Sequence, residues 1–434
     1  MLHTILGVSI DKGPLSVTLL VLSVGLFAVL LIRPKTSRWL IVSTVSLMGG
    51  AIVALLAWLI LVDTLGVVRI PLSHEVYLLF TATVSGVVLA LVNIWKSRWW
   101  RKLAAGAAMV VFLAAGTLAI NATFGMYRTV GELFGVSSLH PIALAPLSTL
   151  PAPLFGQLWK TWRPPADMPP TGTTGTVVIP NTLSGFAARP AGIYMPPAAL
   201  VANPPKLPLV VLMMGQPGAP DPQYVASVLD RLAAKHFGLA PIVVVADQLG
   251  DPNIDNLCLD SQKYGNVETY ITKDVVNWAT KNLNVTQDHR LWTVAGYSHG
   301  GQCAISFIAK HPRLWSNVLD VSGEEYPGSD SPGGVLRDFF GGDQAAYDRQ
   351  KPSTILTNTK LPDTFGVFTV GSNDSAYIPG TKRTVAAASS AGMQAVYYET
   401  PNGGHVLPAL TDGLAKGFEL LYPLLGLAAR HPAR

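Results

Sequence analysis

Hydrophobic and polar positions divide this chain into two unlike parts. Within the first 120 residues, four runs contain no Asp, Glu, Lys, Arg or His: Pro14–Ile32, Trp39–Val62, Val76–Trp95 and Leu103–Ile120, of 19, 24, 20 and 18 residues. An α-helix rises about 1.5 Å per residue, so about 20 residues cross a hydrocarbon core of about 30 Å. All four runs are predicted to be membrane spans, because so many uncharged runs in so short a stretch do not suit a soluble core. Beyond residue 170, short apolar runs rich in β-branched residues alternate with helical patterns, which predicts an α/β domain on a mostly parallel sheet. Strands are expected at Thr176–Ile179 and Ala191–Met195 (an opening hairpin), Leu209–Met213, Ile242–Ala246, Leu291–Ala295, Trp315–Val321, Gly366–Val370 and Ala395–Glu399. Helices are expected at Tyr224–Lys235, Val267–Leu283, Gln302–Lys310, Lys382–Ala391 and Leu407–Leu421. Between the two parts, Pro141–Pro170 holds eight prolines in thirty residues. Proline lacks the donor that helices and central strands need, so this stretch predicts an extended linker, with a short helix near Thr129–Phe134. The plan is therefore a four-helix transmembrane bundle (1–122), a Pro-rich extracytoplasmic linker (123–170) and an α/β domain (171–434).

Composition agrees: 49% of residues are hydrophobic, 13% are charged and the mean hydropathy is +0.36. Disorder needs the opposite balance, and two cysteines are too few for a disulfide scaffold. The formal charge of +5 is unevenly placed: residues 1–122 carry net +6 and residues 123–434 net −1. That distribution removes a nucleic-acid reading of the basic pI. The loop after the first run holds Arg33, Lys35 and Arg38, and the loop after the third holds Lys96, Arg98, Arg101 and Lys102, with no acid in either. The middle loop mixes Asp63, Arg69 and Glu75. Basic loops stay in the cytoplasm, so the N-terminus and everything after the fourth span are expected outside the cell membrane. Trp39, Trp95, Trp99 and Trp100 stand where interfacial anchors belong. The first run is expected to be retained rather than cleaved as a signal, since its leader carries Asp11 with Lys12 and no small-x-small site closes it. Uncharged spans argue for anchoring rather than transport. Gly49, Gly50, Ala51, Ala104, Ala105 and Gly106 suit close helix packing.

The chemistry lies in the second part. The strand Leu291–Ala295 runs into Gly296-Tyr297-Ser298-His299-Gly300-Gly301, a G-x-S-x-G between a strand and a helix. There a serine is held on a sharp turn with its hydroxyl free, and the following helix aims its N–H groups at an oxyanion. An activated serine needs a base and an orienting acid, which follow in the order acid, histidine. Asp374 lies just past the strand Gly366–Val370, and His405 in a Gly-rich loop past Ala395–Glu399. Ser298, Asp374 and His405 are the expected catalytic residues, with Glu324 and Glu325 as rival acids. The oxyanion donors are expected to be the backbone N–H groups of His299 and of Gln216, in the loop Met213-Met214-Gly215-Gln216-Pro217-Gly218. The His299 side chain is expected to line the pocket, and His311 to cap a helix.

From about Phe186 to the C-terminus the chain resembles the putative esterase family of α/β-hydrolases, which includes esterase D and the mycolyltransferases of the antigen 85 complex. The matching pieces are Ala191-Gly192-Ile193-Tyr194-Met195-Pro196-Pro197, Gly215-Gln216-Pro217-Gly218, Tyr270-Ile271-Thr272-Lys273-Asp274-Val275, Gly296–Gly301, Asp374 and His405. With four spans ahead, the chain is similar to membrane-anchored esterases of actinobacteria. It departs at Met214, where relatives often have His or Asp, and at His299, where Met is common; the first alters the pocket wall. The resemblance implies acyl-ester chemistry, with either water or an alcohol as acceptor.

Outside the cell a disulfide is permitted, and one is expected between Cys258 and Cys303, the alternative being two buried thiols. No cluster has metal-ligand spacing and no nucleotide motif is present, so neither metal nor cofactor is expected. Residues 326–363 form a candidate lid, in which Phe339 and Phe340 between glycine pairs suit an apolar acyl chain or ordinary packing. The leading expectation is a membrane-anchored serine esterase facing outward, acting on membrane lipids or envelope acyl esters. The alternatives are an acyltransferase using the same triad, a non-enzymatic envelope protein of hydrolase fold, and a transporter with a regulatory outer domain.

Overall fold

The computed structural model describes residues 5–11, 13–32, 37–64, 74–95, 97–125, 127–133, 139–144, 147 and 157–429. They fall into two compact units, Met1–Ser138 and Leu139–Arg434. Arg33, Lys35, Arg69 and Lys96, on which the expected orientation partly rests, lie outside the described residues, as does much of the Pro-rich stretch.

The first unit contains α1 (Pro14–Leu31), α2 (Ser37–Trp58, continued by a π-helical turn Leu59–Thr64), α3 (His74–Ile94) and α4 (Trp99–Phe124). All four are long and apolar enough to cross a membrane. Their packing inverts that of a soluble bundle. The buried positions are mostly small, among them Ser43, Ser46, Gly50 and Ala54 on α2, Gly86 and Ala90 on α3, and Ala105, Ala108 and Gly116 on α4. Large side chains such as Leu20, Val45 and Leu103 face outward, as they would toward lipid. Gly50 lies against the Ser85 backbone and Gly116 against Thr83, where no Cβ would fit, but Gly49 and Gly106 face open space and contribute no close packing. α4 begins four residues before the uncharged run, so Arg101 and Lys102 occupy its first turn. The Arg101 guanidinium donates to the carbonyl of Ile32, which caps the C-terminus of α1, and lies 4.9 Å from the Trp100 ring centroid.

The second unit is built on eight strands: β1 (Thr173–Val177), β2 (Ala191–Met195), β3 (Leu209–Met213), β4 (Ile242–Ala246), β5 (Trp292–Tyr297), β6 (Asn317–Val321), β7 (Phe365–Gly371) and β8 (Gln394–Thr400). Their order across the sheet is β1-β2-β4-β3-β5-β6-β7-β8. β2 pairs antiparallel with β1 and β4, and the rest are parallel. β2, β3, β4, β5 and β6 are almost wholly buried, which is why they read as continuous apolar runs. β1 starts three residues earlier than the run Val177-Val178-Ile179 suggested, and Val178 lies exposed beyond its end. The main helices of the unit are α5 (Gln223–Lys235), α6 (His299–Lys310), α7 (Pro332–Asp338), α8 (Ile378–Ser390) and α9 (Leu407–Leu421). The helix expected over Val267–Leu283 is divided by a π-helical turn, Tyr270–Val275. That turn carries the buried Asp274, whose carboxylate accepts the Leu183 and Ser184 N–H groups at 3.0 and 2.9 Å.

The described parts of the Pro-rich stretch are tied to this unit. The Ile142 N–H donates to the Thr176 carbonyl at 3.1 Å, beside β1. Leu158 is buried in a short helix, and the Trp162 indole donates to the Phe237 carbonyl at 2.9 Å. The apolar residues between the prolines supply the packing that the missing backbone donors cannot.

Candidate active site

β5 ends at Tyr297 and α6 begins at His299, leaving Ser298 on the corner with φ 55° and ψ −119°. A non-glycine residue there is strained, and the surrounding chain enforces it. The Ser298 N–H donates to the Val321 carbonyl of β6 at 2.9 Å. A Cβ on Gly296 would strike the Gly300 carbonyl, one on Gly300 the Met213 carbonyl, and one on Gly301 the Asp320 carboxylate. The glycines of the motif are thus a packing requirement of the corner.

The acid and the histidine arrive on neighbouring loops. β7 and β8 are parallel partners, and their C-terminal loops are bonded together: the Asn373 N–H donates to the Gly403 carbonyl at 2.7 Å and the Ser372 N–H to the Thr400 carbonyl at 2.9 Å. This brings His405 Nδ1 to 2.8 Å from Asp374 Oδ2 and His405 Nε2 to 2.8 Å from Ser298 Oγ. All three residues are buried. The protonation pattern that satisfies both bonds has Nδ1–H donating to Asp374 and Ser298 Oγ–H donating to Nε2. The rival acids lie elsewhere: Glu325 accepts the Arg383 Nε–H at 2.7 Å, and Glu324 makes no bond to His405. The His405 ring also stacks on Tyr377 and Tyr297, with centroids 4.1 and 5.5 Å away. Neither tyrosine was singled out in the sequence, although Tyr377 stands three residues past Asp374 and Tyr297 inside the serine motif.

The loop after β3 passes close beside the serine, since a Cβ on Gly215 would lie 3.3 Å from Ser298 Cβ. Arg189 braces this loop by donating to the Gly218 carbonyl at 2.8 Å while pairing with Asp247 at 2.7 Å. Among the described residues neither the Gln216 nor the His299 N–H has an acceptor. One side chain departs from expectation. His299 is 1% exposed and does not line an open pocket. Its Nδ1 accepts from the Gln248 amide at 3.3 Å and its Nε2 donates to Asp255 at 3.2 Å, so it is wedged behind the nucleophile. Met214 packs in the core cluster, and its carbonyl accepts the Gln248 amide at 2.5 Å. His311 closes α6, and its ring bonds Glu268 at 2.8 Å.

Cys258 and Cys303 form a disulfide with Cα atoms 5.6 Å apart, joining the Asp255–Leu259 loop to α6. Sequence spacing hid a cluster here, because Cys258, His299 and Cys303 hold their ligand atoms within 4.8 Å of one another. Both sulfurs are committed to the disulfide. In the candidate lid, α7 has no buried residue. Phe339 stacks on Tyr264 at 5.8 Å, and Phe340 on Tyr347 at 5.0 Å, so the phenylalanine pair belongs to an aromatic row.

Comparison with known proteins places the chain in a family. The family model described as Putative esterase matches residues 188–407, half of the chain. An uncharacterized protein of Corynebacterium glutamicum is 28% identical over 428 residues, covering 94% of this chain and 96% of that one. Among solved structures, an S-formylglutathione hydrolase from Agrobacterium tumefaciens is 17% identical, with 60% of this chain and 98% of that one covered and a TM-score of 0.48. A ferulic acid esterase is 18% identical, with 58% and 98% covered and a TM-score of 0.45. By its family match the chain belongs to the Putative esterase family and is a serine ester hydrolase.

Proposed function

We propose that this is a membrane-anchored serine esterase that acts at the outer face of the cell membrane on acyl esters of lipid or envelope origin. Ser298 Oγ attacks the ester carbonyl while His405 Nε2 takes its proton. Asp374 holds the imidazole in the required tautomer and stabilises its charged form. The oxyanion is received by the free N–H groups of Gln216 and His299, each such donor being worth about 3–4 kcal/mol. Collapse of the tetrahedral species returns the proton from His405 to the departing alcohol and leaves an acyl-serine. Water, deprotonated by His405, then attacks the acyl group, and the acid leaves as Ser298 regains its proton.

The observation that carries this reading is the pair of 2.8 Å hydrogen bonds running from a serine in left-handed backbone conformation through His405 to a buried carboxylate. The four apolar helices support a substrate that lies in or beside the membrane. Ser298→Ala in the full chain should lower p-nitrophenyl butyrate hydrolysis by about 10⁴-fold or more and abolish labelling by a fluorophosphonate probe. Retained hydrolysis in that variant would overturn the assignment.

A further inference from the structure

A buried side-chain amide lies behind the two backbone N–H groups that face the nucleophile. Gln248 stands two residues past the end of β4 and is 2% exposed. Its amide nitrogen lies 2.5 Å from the Met214 carbonyl oxygen and 3.3 Å from His299 Nδ1. A primary amide carries two N–H donors, and each has one of these acceptors. His299 is kept an acceptor at Nδ1 because its proton is on Nε2, donated to Asp255 at 3.2 Å. The backbone of Gln248 is fixed in turn, since its carbonyl accepts the Asn256 amide at 2.6 Å.

The two acceptors belong to the two stretches that supply the oxyanion donors. The peptide joining Met214 to Gly215 is a rigid plane, and the next plane along the chain carries the Gln216 N–H. The His299 ring is joined by two side-chain torsions to the backbone whose N–H is the other donor. The far end of the Met214–Gly218 loop is held from the adjacent residue: Asp247 pairs with Arg189 at 2.7 Å, and Arg189 donates to the Gly218 carbonyl at 2.8 Å. Asp247 and Gln248 thus pin this loop at both ends, and Gln248 alone of the two also bonds to α6. An amide buried so deeply costs free energy unless its hydrogens are bonded, and both of these bridge the gap between loop and helix. We propose that Gln248 is a positioning residue for the oxyanion hole. It sets the separation of the Gln216 and His299 N–H groups, and so acts on the transition state rather than on substrate binding. The inference rests on the Ser298 esterase reading and adds to it the residue that preorganises the hole.

The test uses the full-length protein in detergent micelles, with p-nitrophenyl butyrate as substrate and an alkyl trifluoromethyl ketone as inhibitor. Ser298 Oγ adds to the ketone carbon, its proton passes to His405, and the carbonyl oxygen becomes a hemiketal oxyanion in the place of the reaction's own. Fluorophosphonate labelling carried to completion counts competent sites, so every rate is taken per site. Gln248→Met keeps the length of the side chain and removes both donors. It should lower kcat by about 30-fold and change KM by less than about twofold. The ketone's Ki should rise by the factor by which kcat/KM falls, because both quantities report the same two N–H groups. If Gln248→Met yields no competent sites, His299→Leu, which releases one of the two amide hydrogens, must raise Ki and lower kcat/KM together by about tenfold. A fall in kcat/KM with Ki unchanged, a rise in KM alone, or no change in either overturns the positioning role and leaves the esterase reading intact. A wild type that hydrolyses the ester but takes up neither the ketone nor the fluorophosphonate overturns the Ser298 reading itself.

Discussion

Ser298 holds a strained conformation because the residues around it leave no alternative, and Asp320 is one of them. Its carboxyl fills the niche that Gly301 and Gly323 leave open beneath the start of α6, and it accepts the Gly323 N–H at 2.9 Å. Burial pushes its pKa up to about 7 from an ordinary 3.8, with the Gly323 bond acting in the opposite sense. The folded chain therefore keeps this proton at pH values where the unfolded chain has released it. Stability from this group is intact at acidic pH and falls as pH rises from the ordinary carboxyl range to about 7. A shift of about three units corresponds to a loss of up to about 4 kcal/mol. Asp320→Asn keeps an oxygen for the Gly323 N–H and carries no ionisable proton. Its thermal midpoint should gain on wild type as pH goes from about 5 to about 8. Midpoints followed in detergent at both pH values decide this, and a gap independent of pH would refute it.

At the level of elements, the disulfide reaches the site through a loop. Cys258 lies three residues past Asp255, and Cys303 one helical turn past His299, so the bond fixes the two residues whose side chains meet at 3.2 Å. It spans 45 residues. On a chain-entropy basis its removal should cost about 4 kcal/mol, and about 2–4 kcal/mol in practice. The double variant Cys258→Ala/Cys303→Ala should show that loss in denaturant unfolding of the full chain. Unchanged stability would mean that the loop is held by other contacts. This loop also marks where sequence pattern stops informing. β2, β3, β4 and α9 match their expected limits residue for residue, because each is an apolar or amphipathic run with clear ends. Ser298, Asp374 and His405 were recognisable because each follows a strand. Asp255 and Tyr377 were not, since they meet only when separate loops fold together and no periodicity records that. Glu324 was visible only as a rival acid. The His299 side chain was misplaced for a related reason: pattern locates a residue at a site without saying toward which side it points.

For the whole molecule, two independent features bear on which side of the membrane the catalytic unit occupies. The first is charge. The excess of basic residues lies in 1–122, net +6, against net −1 for 123–434, and it is concentrated in the loops after the first and third spans. The positive-inside rule predicts that those loops lie in the cytoplasm, and four spans would then put the hydrolase unit outside. The second feature is chemical and belongs to the other unit. A buried disulfide persists in an oxidising compartment, which the cytoplasm is not. The two signals share no residue, so their agreement is informative, and together they predict the result of reporter fusions. Alkaline phosphatase fused after residue 434 should be active and a green fluorescent reporter there dark, while fusions within residues 33–38 should give the reverse. Fluorescence after residue 434 would place the triad in the cytoplasm. It would exclude outer-face esters as substrates while leaving the chemistry of Ser298 untouched, because nothing in that chemistry depends on the side of the membrane.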